Sequence, residues 1–275
     1  MKLFFLIISL FVFNYAEPIA SKYGAIPHDS FVHTPDPELD FHLIEGVKEY
    51  DFYKSYPLCL HPIKDQGVCG SCYAFSTLLS IRTRYCTKAP TTPDLSEQEI
   101  VSCPFGPSNL GGCVGGYLKK TCQHIENLGV HSDPDYPYVQ KNNPIPATCE
   151  RMELVGLDTW TVKFWGCKEY SGEDEMMAAI LQDGPIATEI MVYDDFVDHH
   201  DDSIYIHIPK ENEKGNIHFI VIYGWGEEVV NNSVIKYWLV ENSWGDRWGV
   251  GGRGKVQKGA NTAEIENYSL GPKIY

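Results

Sequence analysis

The sequence is poor in positive charge and in long apolar runs. It has 22 Lys and Arg residues against 37 Asp and Glu residues, a formal net charge of −15 with neutral histidines. That acidity excludes nucleic acid as an expected partner, because a phosphate backbone requires a basic surface. With 275 residues, 43% hydrophobic and 21% charged, the composition indicates a globular chain of one large domain or two modest ones.

The longest apolar run lies at the N-terminus. Leu3–Phe13 is interrupted only by Ser9, follows Lys2, and precedes Ala16. This arrangement predicts a secretory signal peptide over residues 1–16. The run is too short for a membrane span, which needs about 20 apolar residues, and no later run approaches that length. Residues 17–45 contain four prolines without helical or strand periodicity, which indicates a linker or pro-segment.

Nine cysteines and a secretory route predict disulfides. In an oxidising compartment most cysteines are paired, and an odd number leaves at least one thiol over. Identifying that thiol is therefore the central question that the sequence poses.

Helical periodicity is concentrated in the first half and strand-like alternation in the second, which favours an α+β protein with a helical lobe and a β lobe. Helices are predicted over Cys72–Tyr85, after Ser96 as a cap with Glu99 as its reciprocal partner, over Tyr117–Leu128 and over Glu173–Leu181; the best strands are Ile186–Tyr193, Phe219–Tyr223 and Val234–Val240.

Cys69-Gly70-Ser71-Cys72 is the sharpest local motif. A CxxC spacing fits a redox pair, half of a zinc site, or one structural cysteine beside a nucleophile. Zinc requires a second ligand pair at close spacing, and no other CxxC, CxxH or HxxxH occurs. A thioredoxin-type pair follows a strand, whereas Lys64–Gly67 is a turn sequence. The third interpretation is favoured, with Cys72 at a helix start whose N–H groups stabilise a thiolate.

A thiolate nucleophile also needs an imidazole for its proton and a group that orients the ring. His218 begins a predicted strand, and the next strand ends in Asn242-Ser243-Trp244-Gly245. A neighbouring strand could present this amide and indole to His218. His199 and His200 lie in an acidic stretch, which predicts a solvated loop in preference to a metal site.

These residues lie within a longer ordered series of motifs: Gln66–Phe75, Leu95–Cys103, Gly112–Tyr117, Asp135–Tyr138, Gly184-Pro185, Gly224–Gly226 and Tyr237–Gly245. The series resembles the papain family of cysteine peptidases, in which a C-G-[SA]-C-[WY] signature precedes a distant His and Asn. His218 follows Cys72 by 146 residues and Asn242 follows by 24 more. The resemblance implies a papain-like α+β fold whose active-site cleft lies between a helical N-terminal lobe and a β-rich C-terminal lobe.

The resemblance implies a role for each matching residue. Cys72 is the nucleophile, His218 the proton carrier, Asn242 the group that orients it, and Gln66 an oxyanion donor with the Cys72 N–H. The thiolate is expected to have a pKa of about 3 to 4 and to persist at acidic pH. Trp244 shields the His–Asn pair from water.

Substrate contacts are implied at two further places. Gly115 and Gly116, without side chains, allow an extended substrate backbone to pair with their loop. Beside the base, Ile217 and Phe219 replace small residues common in relatives, and Tyr268 occupies the floor of the S2 pocket. These bulky groups predict a narrowed pocket that prefers a P2 residue of moderate size, such as Val.

Within the family, the sequence is most similar to cathepsin B, through stretches such as Tyr56–Cys59, Ile81–Cys86 and Val192–Phe196. It lacks that enzyme's long histidine-bearing occluding loop, since only a short Pro/Asn-rich loop lies between Gly129 and Cys149. The sequence therefore predicts an endopeptidase. The resemblance places the peptidase domain over residues 46–275, with lobes of about 46–150 and 151–275, after a pro-segment of residues 17–45 that can still cross the cleft.

The resemblance also implies disulfides Cys59–Cys86, Cys69–Cys113 and Cys103–Cys149. Cys72 is then free for chemistry, and whether Cys122 pairs with Cys167 stays open.

Protein and peptide substrates are expected, with proteinaceous cysteine-protease inhibitors as partners. No cofactor, no metal and no membrane span are expected, and the protein is expected to be a monomer of a lysosome-like vacuole or the extracellular space. Two alternatives stay open, a peptidase-fold binding protein without catalysis and a CxxC thiol-disulfide oxidoreductase.

Overall fold

A computed structural model describes residues 25, 33–103, 111–145, 147–149 and 164–274 of the chain. Most of its helices lie in the first half and most of its strands in the second. The α-helices are α1 (Phe52–Ser55), α2 (Cys72–Cys86), α3 (Glu97–Ser102), α4 (Leu118–Leu128), α5 (Glu173–Asp183) and α6 (Asp194–Val197), and short 3₁₀ turns lie at Phe41–Ile44, Pro57–Cys59, Gln140–Asn142 and Thr262–Glu264.

The strands form one twisted sheet of eight. They are β1 (Tyr50–Asp51), β2 (Phe164–Tyr170), β3 (Ile186–Val192), β4 (Ile204–Tyr205), β5 (Asn216–Val230), β6 (Ser233–Glu241), β7 (Arg253–Gln257) and β8 (Ser269–Ile274). Their order is β2-β8-β3-β5-β6-β7-β4, and β1 pairs with β5. The pairings are antiparallel apart from that of β4 with β7.

Helix α2 is buried between the helical lobe and the sheet. The sequence predicts one apolar face, but twelve of its fifteen residues are buried. Its polar side chains are satisfied by carbonyls: Ser80 Oγ and Arg84 Nε both donate to the Pro185 carbonyl oxygen, at 2.8 and 2.9 Å, and Arg84 Nη1 donates to that of Pro272 at 2.7 Å. Because a buried charge is costly unless it is hydrogen-bonded, these bonds let a polar helix pass through the core and hold its C-terminal half against the sheet.

Four disulfides tie the elements together. They join Cys59 to Cys86, Cys69 to Cys113, Cys103 to Cys149 and Cys122 to Cys167. Three are the pairs that the family resemblance implies, and the fourth links α4 to β2. Cys72 is the one cysteine of the nine that lies outside these four pairs, and it remains a thiol.

The residues before β1 pack on the sheet lobe. Leu39 is buried in the same apolar cluster as α5, and the 3₁₀ turn Phe41–Ile44 is capped by the Asp40 carboxylate, which accepts a hydrogen bond from the His42 amide. The side chain of Asp36 is 3% exposed and lies near Lys168 and Lys273. In the described part of the chain, no helix combines the length and apolar character that a membrane crossing requires.

Candidate active site

Cys72 is the first residue of α2, where the unpaired N–H groups of the first turn point at its side chain. Its side chain is completely buried. That burial raises the pKa of the Cys72 thiol to about 12, although backbone hydrogen bonds from Phe219, Tyr73 and Cys72 itself act to lower it. Burial therefore favours the neutral thiol unless a cation lies beside the sulfur, because a thiolate without solvent or a fixed cation is disfavoured.

His218 lies on β5, immediately before the residue whose backbone contacts the Cys72 sulfur. The ring is fully buried, and its Nε2 lies 2.9 Å from Asn242 Oδ1. Since a carboxamide oxygen only accepts, Nε2 carries a proton and donates it to Asn242. The other ring nitrogen, Nδ1, is then the one that can exchange a proton with a reacting group. Thus a thiol, an imidazole and an orienting amide meet where the two lobes join.

Trp244 covers this pair. Its ring centroid lies 4.6 Å from that of His218, with the planes inclined by 30°. Trp244 also packs edge-on against Phe196 and Trp248, with centroids 5.9 and 6.2 Å away. The resulting aromatic layer lies beside the buried His218 ring.

Gln66 joins the active-site helix to the strand end that carries Asn242. Its Nε2 donates to the Cys69 carbonyl oxygen at 2.8 Å, and its Oε1 accepts from Ser243 Oγ at 2.6 Å. The backbone N–H of Gln66 also donates to the Ser243 carbonyl at 2.8 Å. These bonds fix the carboxamide from both sides.

The glycine loop lies on the other side of the nucleophile. Gly115 has φ of +117°, a conformation that residues with a side chain rarely adopt. A Cβ on Gly116 would lie 2.7 Å from the Tyr73 ring, so only glycine fits there. The backbone of Ala25 forms a parallel bridge with Gly116. A segment of the chain before the peptidase domain thus occupies a backbone-pairing position of this loop.

The residues predicted to line the S2 pocket pack beside this loop. Phe219 and Tyr268 are only 2% and 3% exposed and belong to the same apolar cluster as Cys72, and Ile217 is half-buried on β5. Tyr268 Oη donates to Glu169 Oε1 at 3.1 Å, which holds the phenol in place. The two aromatic rings fill the space next to the nucleophile.

A pocket of about 340 Å³ opens beyond Trp244. One wall is the turn after Gln66 with Lys141 and Asn142, and the other includes His200, Arg247 and Trp248. Two residues of the loop before Cys149, Lys141 and Asn142, therefore border this pocket.

The structure describes the side chains that would form a CxxC redox pair or a metal site. Cys69 is bonded to Cys113 and is not available to Cys72, which contradicts a CxxC redox pair. Among the residues described, no group of three or more His, Cys, Asp or Glu side chains is arranged to hold a metal ion. His199 and His200 lie in an acidic loop, where the His200 ring donates to the Arg247 carbonyl oxygen.

A buried ionic cluster lies next to Asn242 and was not predicted from the sequence; it is formed by Glu241, His61, Arg253 and Tyr53. The available signal was an acidic residue between the apolar run Tyr237–Val240 and Asn242, at a point where the chain is otherwise buried.

The family model described as papain family cysteine protease matches residues 47–273. The chain therefore belongs to the papain family of cysteine proteases, and the papain-like α+β fold predicted from the sequence is confirmed. This chain is 30% identical over 254 residues to cathepsin B-like CP2 of Giardia intestinalis, and the match covers 88% of this chain and 76% of that protein. It is 33% identical over 204 residues to procathepsin L of Rattus norvegicus, covering 74% of this chain and 58% of that protein.

Two solved structures share the fold. Procathepsin B S9 from Trypanosoma congolense aligns with a TM-score of 0.75 and 22% identity, covering 94% of this chain and 88% of that one. The proform of the ragweed pollen cysteine protease Amb a 11 aligns with a TM-score of 0.69 and 24% identity, covering 88% and 72%. At these identities the likeness shows the fold alone.

Proposed function

We propose that this papain-family protease is an endopeptidase that cleaves peptide bonds through a Cys72 thioester intermediate. The observation that carries the proposal is the hydrogen bond of 2.9 Å between His218 Nε2 and Asn242 Oδ1, on the strand that touches the Cys72 sulfur. This bond leaves Nδ1 as the ring atom that accepts the thiol proton. An imidazolium beside the sulfur supplies the countercharge that a buried thiolate needs.

In the proposed reaction the Cys72 sulfur attacks the peptide carbonyl carbon and the carbonyl π electrons move to oxygen. The Cys72 N–H and the Gln66 side-chain amide donate to that oxyanion, and one such donor lowers the barrier by about 3 to 4 kcal/mol. His218 then gives its proton to the leaving amine as the C–N bond breaks. Water, deprotonated by His218, hydrolyses the thioester and restores the thiol.

Alkylation of the thiol tests the proposed nucleophile. A peptidyl epoxide or fluoromethyl ketone should modify Cys72, as located by peptide mapping, and remove all hydrolysis of a peptide substrate. His218→Ala should slow both reactions by roughly 10²- to 10⁴-fold, because the proton acceptor is lost. His42→Gln, which alters an exposed histidine remote from the site, is the matched control and should react like the wild type.

Labelling without hydrolysis would favour the alternative of a binding protein with a peptidase fold. Modification of a residue other than Cys72 would contradict the proposed nucleophile.

The open end of the cleft supports endopeptidase activity as the finer assignment. The pocket beyond Trp244 lies between Lys141 and Arg247, and no loop of the described part of the chain fills it, so a substrate chain can continue past the leaving group. Peptides blocked at both termini should be cleaved internally at rates comparable to those of peptides with a free C-terminus. A strong preference for releasing dipeptides from free C-termini would contradict this assignment.

The N-terminal region supports a zymogen that enters the secretory pathway. We propose that residues 1–16 are a signal peptide, that residues 17–45 are a pro-segment, and that the bridge between Ala25 and Gly116 restrains the cleft before processing. A lysosome-like vacuole or the extracellular space is the proposed destination. Protein substrates, proteinaceous inhibitors and a monomeric state complete the proposal.

A further inference from the structure

Glu241 is the last residue of β6 and directly precedes Asn242. Its carboxylate is 2% exposed and uses both oxygens. Oε1 lies 2.7 Å from His61 Nε2, and Oε2 accepts from Tyr53 Oη and from Arg253 Nε, both at 3.0 Å. Arg253 Nη2 also lies 2.9 Å from Oε2 in the same ion pair. Side chains from three separate segments thus converge on one buried anion, and they keep the pKa of Glu241 below its ordinary value despite burial.

His61 faces an acceptor at each ring nitrogen. Its Nε2 faces Glu241, and its Nδ1 lies 3.3 Å from the carbonyl oxygen of Cys59. A neutral imidazole has one donor and one acceptor nitrogen, so it can satisfy only one of these contacts. The doubly protonated ring satisfies both. The geometry therefore suits an imidazolium, and loss of one proton sets a ring lone pair against an acceptor oxygen.

Other charged and titratable groups surround His61. The Tyr53 ring packs against it from α1, with centroids 5.8 Å apart, and Tyr223 on β5 packs against Tyr53. From α2, Arg82 Nη1 donates to the same Cys59 carbonyl at 3.0 Å and pairs with Asp94 at 2.6 Å. The cavity between the lobes next to this cluster is also lined by Lys64 and Glu97, which pair at 2.8 Å. Each charged neighbour has an ionic partner of its own, so His61 is the member of the cluster for which loss of a proton leaves a contact unsatisfied.

Three consecutive residues, from Glu241 to Ser243, contact the proposed catalytic residues or the side chains that hold them. Glu241 binds His61 and Arg253, Asn242 binds His218, and Ser243 Oγ donates to Gln66. The backbone N–H of Asn242 also donates to the Gly252 carbonyl at 3.0 Å, one residue before Arg253. A shift of the Glu241 carboxylate therefore moves the amide that orients the imidazole.

We propose that Glu241 and protonated His61 are positioning residues that hold Asn242 against His218, and that deprotonation of His61 loosens this support as the pH rises. The inference rests on the proposed peptidase function and assigns one source of its alkaline limit.

The test is the pH profile of kcat/KM for a blocked peptide, with the rate of Cys72 alkylation followed in parallel. In His61→Gln the side-chain amide of the new glutamine donates to Glu241 at every pH. The midpoint of the alkaline limb of the kcat/KM profile should therefore move upward by about half a pH unit or more. Glu241→Gln removes the anion. It should lower kcat roughly tenfold through misorientation of His218, with KM within about twofold, and should also move the midpoint.

His131→Gln is the matched control, because His131 forms a buried pair with Glu99 at 2.9 Å beside α3 and not beside Asn242. It should lower stability without moving the midpoint. Midpoints of both His61→Gln and Glu241→Gln that equal the wild-type value would overturn the inference, even if both variants are less stable. If Glu241→Gln does not fold, His61→Gln alone decides. A wild-type protein that shows neither cleavage nor Cys72 labelling would instead contradict the proposed function, and this inference with it.

Discussion

Cys72 shows how far a nucleophile depends on the groups around it. Burial raises the pKa of its thiol to about 12 even against backbone hydrogen bonds that lower it, whereas thiols next to an imidazolium reach far lower values. The helix start and three backbone contacts favour the charged form, but they do not outweigh complete desolvation. The proton must therefore pass to His218 for a thiolate to form, and the orientation of that ring by Asn242 becomes part of the chemistry of the sulfur.

Phe219 leads to a prediction about substrate choice at the residue scale. Its ring and that of Tyr268 fill the space beside Cys72, so a P2 side chain of moderate size, such as Val, should be preferred to Phe or Arg. Phe219→Ala should enlarge the pocket and keep the backbone N–H that contacts the sulfur. The ratio of kcat/KM for Phe over Val at P2 should rise roughly tenfold or more.

The ratio of two substrates is the appropriate measurement, because removing a buried Phe costs about 3 to 5 kcal/mol of stability and lowers the active fraction for both equally. Phe41→Ala, at a half-exposed ring remote from the cleft, should leave the ratio unchanged. If Phe or Arg is already the best P2 residue of the wild type, the narrowed pocket is wrong.

At the scale of elements, sequence periodicity predicted the positions of the main helices and strands to within a few residues. Its errors come from long-range contacts. The predicted reciprocal cap of α3 forms only in one direction: Ser96 Oγ accepts from the Glu99 N–H at 3.0 Å, but the Glu99 carboxylate binds the backbone and ring of His131. A partner 32 residues away cannot be read from local spacing.

Strand β5 shows a second reason for error. The sequence predicts a strand over Phe219–Tyr223, whereas β5 extends over Asn216–Val230. Its far end pairs with β6 across the two-residue turn Asn231-Asn232, where both residues have positive φ. Asparagine tolerates that conformation and forms tight hairpins, so the pair carried a hairpin signal that a search for apolar alternation overlooked.

The residues of the candidate site also divide into those that a local motif predicts and those that only long-range packing brings together. Cys72, His218 and Asn242 could be predicted because each lies in a local motif with its own chemistry, at a helix start or a strand boundary. His61 and Glu241 are 180 residues apart, and neither lies in a motif that singles it out. Only the packing of the N-terminal segment against the end of β6 brings them together, so their pairing required the structure.

At the scale of the whole molecule, the segment before β1 raises the question of which residues the folded peptidase needs. The sequence places the start of the mature enzyme near Gly46. In the structure, Leu39 is buried in the core of the sheet lobe, Glu38 pairs with Lys273 at 2.9 Å, and His33 pairs with Glu175 at 2.6 Å. These contacts lie on α5 and β8, whereas Ala25 contacts the glycine loop of the cleft.

We therefore expect the residues that restrain the cleft and the residues that support the fold to be separable. A chain beginning at Gly46 should unfold at a lower temperature than one beginning at His33, because it loses the burial of Leu39, about 2 kcal/mol, and with it roughly 4 to 8 °C in Tm. Differential scanning calorimetry measures this, and Leu39→Ala in the longer chain should reproduce most of the loss. The variant Glu45→Gln, which changes an exposed carboxylate, should not lower the Tm.

Below both transitions the two chains should alkylate Cys72 at equal rates, since neither retains Ala25. Equal Tm values for the two chains would show that residues 33–45 are dispensable to the fold and would favour a mature terminus at Gly46.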